Sequence, residues 1–537
     1  MPSPEPRKPR TPPPVTAARQ QLQQRWYAEG LHSTRTCISA FGEAAAQHTD
    51  QTVVFVNGAT ESSLSIGDLH RRARSVAAGL QALGVRPGDA VAVQLTNTVD
   101  CMVAYQAVLL CGATLVPIVH IYGPREVDQI LSDSAAVVII TSECSPLVTG
   151  ADPQWLPPTV HRVLSGAHRA GWRSFGDLSS SAADYLVPTT HADEVCLIVY
   201  TSGSSAAPKG VMHSHNTVLA EQRQLPALIA GRADDVHLVA FPPGHLAGVA
   251  SMLRPMVSGT ATVFTDGWDA ARASEIIARF GVTSTAGAPL HLTTLLDEAE
   301  PDQLVTLREF LVGAAPVPAA LGRRAGEAGI DTFRCYGLSE HPTVTAGRPT
   351  DPERVRLATD GAALPGTTVR VIGPDGHSLD TGVDGEICVI GPEQFVGYTD
   401  AEQTSQAFTE DGWLRTGDLG HLDTDGCLTV VGRIKEVVIR AGETISARQV
   451  EDVLSEHVAV AECAVVAVPD ARYGEIVGAA VVLVPGHQLE LVDVQRHFRR
   501  AGLAVQKTPQ QLVVVDDLPR SALGKICKPE LAGLFAS

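Results

Sequence analysis

The stretch Val199-Tyr200-Thr201-Ser202-Gly203-Ser204-Ser205-Ala206-Ala207-Pro208-Lys209-Gly210-Val211 leaves an apolar run, Glu194 to Tyr200, and gathers hydroxyls, small residues and one lysine into a loop. Backbone N–H groups at glycine and small residues approach phosphate oxygens closely, hydroxyls add donors, and an ammonium offsets the charge of a polyphosphate. The composition is that of a phosphate cradle, with Thr201, Ser202, Gly203, Ser204, Ser205 and Lys209 as candidate ligands. It is not a Walker loop, which needs glycine directly before its lysine, because here Pro208 precedes Lys209 and Gly210 follows it. A flexible surface linker is the plainer alternative for such a stretch taken alone.

Toward the amino terminus, Leu64 to Leu83 carries apolar residues at helical spacing, and Gly84 stops the run before the turn Arg86-Pro87-Gly88-Asp89. Ala90 to Leu95 then reads as a strand, Asp100 to Cys111 as a helix, Thr114 to Val119 as a strand, Pro124 to Ser132 as a helix and Ala136 to Thr141 as a strand. Such alternation predicts a layered α/β architecture. On the other side, Gly385 to Gly391 and Cys427 to Gly432 read as short strands in turn-rich sequence, an additional β-rich portion. Beyond Arg433, helices at Ser446 to His457 and Leu489 to Arg500 flank strands at Ala461 to Val468 and Gly478 to Val484. About 100 residues suffice for a compact α+β domain.

Bulk properties agree with at least two domains of unequal size, since 537 residues exceed what one core usually supports. The formal charge of -18 argues against a nucleic-acid partner, whose backbone needs clustered Lys and Arg. The ten cysteines are scattered without the short spacing of a zinc or redox motif, which fits a reducing, cytoplasmic setting. Met1 to Pro14 is proline-rich, carries Arg7, Lys8 and Arg10, and lacks the apolar stretch of a signal sequence. No run of about 18 apolar residues occurs, so no spanning helix is expected, while peripheral membrane contact stays open.

The loop Tyr200 to Gly210 resembles the signature loop of the adenylate-forming (AMP-binding) superfamily, which includes acyl-CoA synthetases, aryl-CoA ligases, luciferases and adenylation domains; Ala206 stands where the family usually has glycine. Further signatures follow in family order: Gly313-Ala314-Ala315-Pro316, Tyr336-Gly337-Leu338-Ser339-Glu340, Trp413 to Asp418, Val431 to Glu436 with Gly442 beyond, and Pro519 to Lys528. The resemblance extends from about Thr36 to Leu531. It implies that Gly313 to Pro316 lie along an adenine, that Tyr336 stacks on it beside Gly337, that Ser339 touches the α-phosphate and that Glu340 binds Mg²⁺. These assignments suit the chemistry, because a hard cation takes carboxylate and phosphate oxygens and a purine stacks on a ring. Asp418 is implied as the ribose ligand with Arg433 nearby, Lys435 as hinge residue, and Lys525 as the lysine reaching the reacting carboxylate. His245, in Phe241 to Gly248, resembles a family histidine that moves when the small domain swings and presents the Gly442 loop; a buried, satisfied histidine is the alternative.

The fold expected is a large multi-subdomain α/β domain, with layered sheets and a distorted β-barrel portion, joined to a small mobile α+β domain. Its boundaries are a disordered tail over 1–20, the large domain over 21–432, a hinge over 433–435 and the small domain over 436–537. The implied activity is an ATP- and Mg²⁺-dependent acid:coenzyme A ligase, monomeric or homodimeric. Phe241 to Met252, Thr285 to Leu290 and Ser339 to Thr343 are expected to line the acid pocket. They are mostly small and apolar, and Gly248 and Ala250 suggest room, which favours a fatty or alicyclic acid over an amino acid. Two alternatives stand beside this: delivery to a carrier-protein thiol, and a non-catalytic nucleotide- or acyl-binding relative, for which Ala206, Ala447 and Gln449 depart from the family pattern.

Overall fold

A computed structural model describes residues 16–149, 156–166, 168–179, 184–201, 208–313, 319–433, 438–445, 447–519 and 528–535. Its centre is the helix Val99–Leu110, in which every side chain from Cys101 to Leu110 is buried. A helix apolar all round must be covered on all sides. Together with Ile66–Ala82 it fills the layer between two large sheets, where Val91 and Val93 of one sheet and Val53, Phe55 and Phe264 of the other enter the same core. Strand periodicity sends Ala90 and Ala92 to the opposite face, against the helix Pro124–Ser134.

The eight-stranded sheet carries the parallel strands Val195–Thr201, Thr114–Pro117, Ala90–Gln94 and Val138–Ser142. At one end Val195–Thr201 turns back into Lys209–Ser214, and the short strand Gly397–Tyr398 adds on beside it. The nine-stranded sheet is parallel through Thr52–Asn57, Ala261–Thr265, Val236–Val239, Ser284–Gly287, Glu309–Val312 and Asp331–Leu338, with antiparallel additions at both ends. The β-rich portion expected late in the large domain is built on a four-stranded antiparallel sheet, Thr368–Ile372, Gly385–Ile390, Leu414–Leu422 and Leu428–Arg433. An Ala362–Cys427 bridge ties it to the nine-stranded sheet.

The last portion is a five-stranded sheet centred on Val460–Asp470 and Gly474–Leu483. One face packs on the helices Ala447–Ser455 and Leu491–Ala501 through Val450, Val453 and Phe498. The other face takes Leu518, Leu531 and Phe535.

Element ends shift by a few residues from the sequence reading, and one difference has a clear cause. The helix expected from Leu64 starts at Ile66, because Thr60–Ser65 is claimed by a hairpin with Thr52–Asn57 and Ser65 caps the helix. Of the tail expected over 1–20, residues 1–15 lie outside the described residues, and the part from residue 16 onward is ordered. A helix Ala17–Ala28 begins at the Thr16 cap, and Arg19 fastens it by lying 4.1 Å over the Phe408 ring and donating to the Phe395 carbonyl. No helix among the described residues is long and apolar enough to cross a membrane.

Candidate active site

The hairpin Val195–Thr201/Lys209–Ser214 sets Thr201 directly opposite Lys209, so the two residues frame the mouth of the loop quoted above. Ser202, Gly203, Ser204 and Ser205, like Ala206, lie outside the described residues, as do Ala314, Ala315, Pro316, Lys435 and Lys525. Lys209 Nζ sits 5.1 Å from the centre of the Tyr398 ring, and the Tyr398 hydroxyl donates to Glu340 Oε1 at 2.5 Å. Burial and the Glu340 charge push the Tyr398 phenol far above its ordinary range, so it remains a donor. The lysine of the loop and the carboxylate proposed for the metal are thus joined through one tyrosine.

Backbone geometry fixes Glu340. The strands Asp331–Leu338 and His341–Ala346 turn so tightly that a Cβ at Gly337 would lie 1.8 Å from the Pro342 carbonyl oxygen, which only glycine permits. His213 Nε2 donates to the Ser339 carbonyl at 2.7 Å and its Nδ1 meets Thr217 Oγ1 at 3.1 Å. Burial lowers this imidazole to about 4, so it is a neutral strut between the loop hairpin and the Ser339-Glu340 turn. The Phe395 N–H donates to the Glu340 carbonyl, and the half-buried Glu340 carboxylate, held by Tyr398, has the hard oxygen chemistry that a Mg²⁺ ion takes.

Tyr336, buried, donates from its hydroxyl to Asp418 Oδ2 at 2.7 Å. Arg433 is the cross-strand backbone partner of Asp418, so one antiparallel register sets the two positions expected at the ribose opposite each other. Gly313 follows the strand Glu309–Val312 and donates its N–H to the Gly287 carbonyl, at the same end of the nine-stranded sheet as Tyr336.

His245 caps the helix Leu246–Ser258 and its Nε2 lies 2.7 Å from Glu443 Oε1. Burial alone would lower the imidazole, but the Glu443 charge and hydrogen bond outweigh it and raise it; burial would raise Glu443, and the His245 charge and hydrogen bond hold it low instead. Ala441 at φ 48° and Gly442 at φ 86° form the turn that delivers Glu443. His245 is therefore neither free nor a core histidine, and the Gly442 hairpin reaches it across the domain boundary.

The acid-pocket segments need correction in detail. Gly248 does not mark room: a Cβ there would sit 1.9 Å from the Pro242 carbonyl oxygen, so glycine is required by backbone approach. Val249 and Met252 turn into the central core, and the Thr285 hydroxyl donates to the Leu238 carbonyl, so these side chains are not available as lining. Tyr398, His213 and Glu443 were missed from the sequence. Only His213, four residues after Lys209 in the same strand, left a signal there.

A family model for AMP-binding enzymes matches residues 41–399, and one for the AMP-binding enzyme C-terminal domain matches 449–525. The chain belongs to the AMP-binding enzyme family. It is 31% identical over 522 residues to the medium-chain fatty-acid–CoA ligase of Escherichia coli strain K12, covering 95% of this chain and 92% of that protein. It is 32% identical to the salicyl-AMP ligase / salicyl-S-ArCP synthetase of Mycobacterium tuberculosis, covering 93% and 91%. Among solved structures, a double mutant of the Bacillus subtilis o-succinylbenzoate CoA synthetase bound with its product analogue OSB-NCoA aligns with TM-score 0.82 at 25% identity, covering 92% and 98%. The same enzyme in complex with AMP aligns with TM-score 0.66, covering 92% and 97%. An AMP-forming ligase is the activity these relatives share with the motifs.

Proposed function

We propose that this protein activates an organic carboxylic acid as its acyl-adenylate and passes the acyl group to the thiol of coenzyme A. A carboxylate oxygen is a weak nucleophile and hydroxide a poor leaving group, so the acid must be activated before a thiol can displace anything. In this reading the substrate carboxylate attacks the α-phosphate of ATP and pyrophosphate leaves. Thr201, Lys209 and the loop between them hold the polyphosphate, Tyr336 and Asp418 hold adenine and ribose, and Lys525 meets the reacting carboxylate. Glu340 would hold Mg²⁺, which supplies charge neutralisation on the departing pyrophosphate.

The observation that carries the second half of the reading is the reach of the Gly442 hairpin to His245 through Glu443. An arrangement of this kind, more similar to the relative carrying a coenzyme A product analogue than to the same relative with AMP, supports an orientation for thiol transfer. For the acid, the half-buried Phe241 and Leu246 and the buried Ala250 support an apolar fatty or alicyclic substrate. Delivery to a carrier-protein thiol is the second reading, favoured by the likeness to the M. tuberculosis enzyme.

The test is pyrophosphate release from ATP and Mg²⁺ against fatty, cyclic, aromatic and amino acids, with and without coenzyme A. Release that requires one acid class and ends in a thioester is the expected result. Acid-dependent release with no thioester moves the acceptor to a carrier protein, and ATP binding without release for any acid overturns the ligase reading.

A further inference from the structure

Among the described residues, the largest separation in sequence bridged by a buried ion pair joins Glu126, at the start of the helix Pro124–Ser134, to Lys507, between the helix Leu491–Ala501 and the strand Gln511–Val514 of the small domain. Lys507 Nζ donates to Glu126 Oε1 at 2.7 Å and lies 4.8 Å from the centre of the Tyr122 ring. Glu126 Oε2 accepts the N–H groups of Gly123 at 3.0 Å and of Ala504 at 3.1 Å. Both side chains are buried, at 1% and 6% exposure, although they belong to different domains. Beside them the backbones touch: a Cβ on Gly123 would lie 2.0 Å from the Gly502 carbonyl oxygen.

A buried pair of this kind contributes little net stability against an apolar pair, yet removing one partner is costly, since it strands the other charge. It therefore selects one geometry rather than strengthening any contact. The carboxylate accepts donors from both domains, so the small domain can seat in only one register without leaving a charge or an N–H unsatisfied. The exposed Arg125–Glu456 pair at the rim, 3.1 Å apart, adds little of its own.

We propose that Glu126 and Lys507, with the Gly123–Gly502 contact, form the latch that holds the small domain in the orientation for thiol transfer. They are positioning residues for the second half-reaction only. The assignment of that orientation to thiol transfer rests on the ligase reading above; the latch itself rests on the seam.

The test uses the full chain carrying R125C and E456C, treated with a short bis-maleimide, with the 125–456 linked peptide measured by mass spectrometry. Lys507→Met, Glu126→Gln and Gly123→Ala are expected to cut the yield at least about fivefold each. Gly123 has φ −84°, so alanine suits the backbone itself and collides only in the seated orientation. In the otherwise native chain the same variants should slow acyl transfer from preformed adenylate to coenzyme A by roughly a hundredfold, with first-turnover pyrophosphate release unchanged. Unchanged linking in all three variants overturns the latch, as does an equal loss in both half-reactions. Reduced linking in a chain that releases no pyrophosphate with any acid upholds the latch and removes the ligase reading.

Discussion

Replacing Tyr398 by phenylalanine removes a single atom from the hydrogen bond that holds Glu340. The ring keeps its edge contact with Phe395 at 4.8 Å, its place beside Lys209 and its backbone pairing with Val211, so no cavity opens and the perturbation stays local. What is lost is one 2.5 Å hydrogen bond to a carboxylate. Bonds to charged groups contribute about 1.5–3 kcal/mol, and loss of a partner that orients a metal ligand costs roughly 10–100-fold in metal affinity. The Mg²⁺ concentration giving half-maximal pyrophosphate release should therefore rise about 10–100-fold in Tyr398→Phe, with melting lowered modestly. The shift should be the same across neutral pH, because the phenol is held protonated. A Mg²⁺ midpoint within threefold of the native value, with melting lowered, would show that Tyr398 serves packing alone and would refute the link from Lys209 to Glu340.

Two further outcomes follow from the same geometry. Asp418→Asn keeps the size of the side chain but weakens its bond to Tyr336 and the one proposed to the ribose; the KM for ATP should rise on the order of 10–100-fold with kcat less affected, measured by ATP titration of pyrophosphate release. The His245–Glu443 contact makes seating of the small domain pH-dependent. His245 is raised above its ordinary 6.5, so its contribution is full below that value and is lost as pH rises through the raised one. Glu443 is held below its ordinary 4.5, so its contribution is full above that value and is lost as pH falls. The 125–456 linking yield should fall as pH rises above 6.5, and Glu443→Gln should flatten that fall; an equally steep fall in the variant would assign it to other groups.

The helices and strands around the first sheet were legible because their apolar residues recur with the element's own period or fill short uninterrupted apolar runs. Ile66, Leu69, Ala73 and Val76 recur at helical spacing, and their burial bears this out. The hairpin Thr52–Asn57/Thr60–Ser65 was not legible, since Thr60 to Ser65 carries almost no apolar alternation and owes its strand to pairing with Val53 and Phe55. Gly248 shows the complementary error: a small residue in sequence does not say whether space or backbone approach made it small.

What the sequence determined by itself is the order of the phosphate loop, the Tyr336-to-Glu340 turn, Asp418 and the terminal lysine motif, and the α/β alternation that supports them. Those are local patterns of residue type and period. Tertiary structure alone decided which of them touch: Tyr398 with Glu340 across 58 residues, Tyr336 with Asp418 across 82, His245 with Glu443 across 198 and Glu126 with Lys507 across 381. The reason is physical. Periodicity reports which face of an element is buried, whereas the partner that meets that face is set by sheet order, register and the seating of one domain on another, none of which a local pattern encodes.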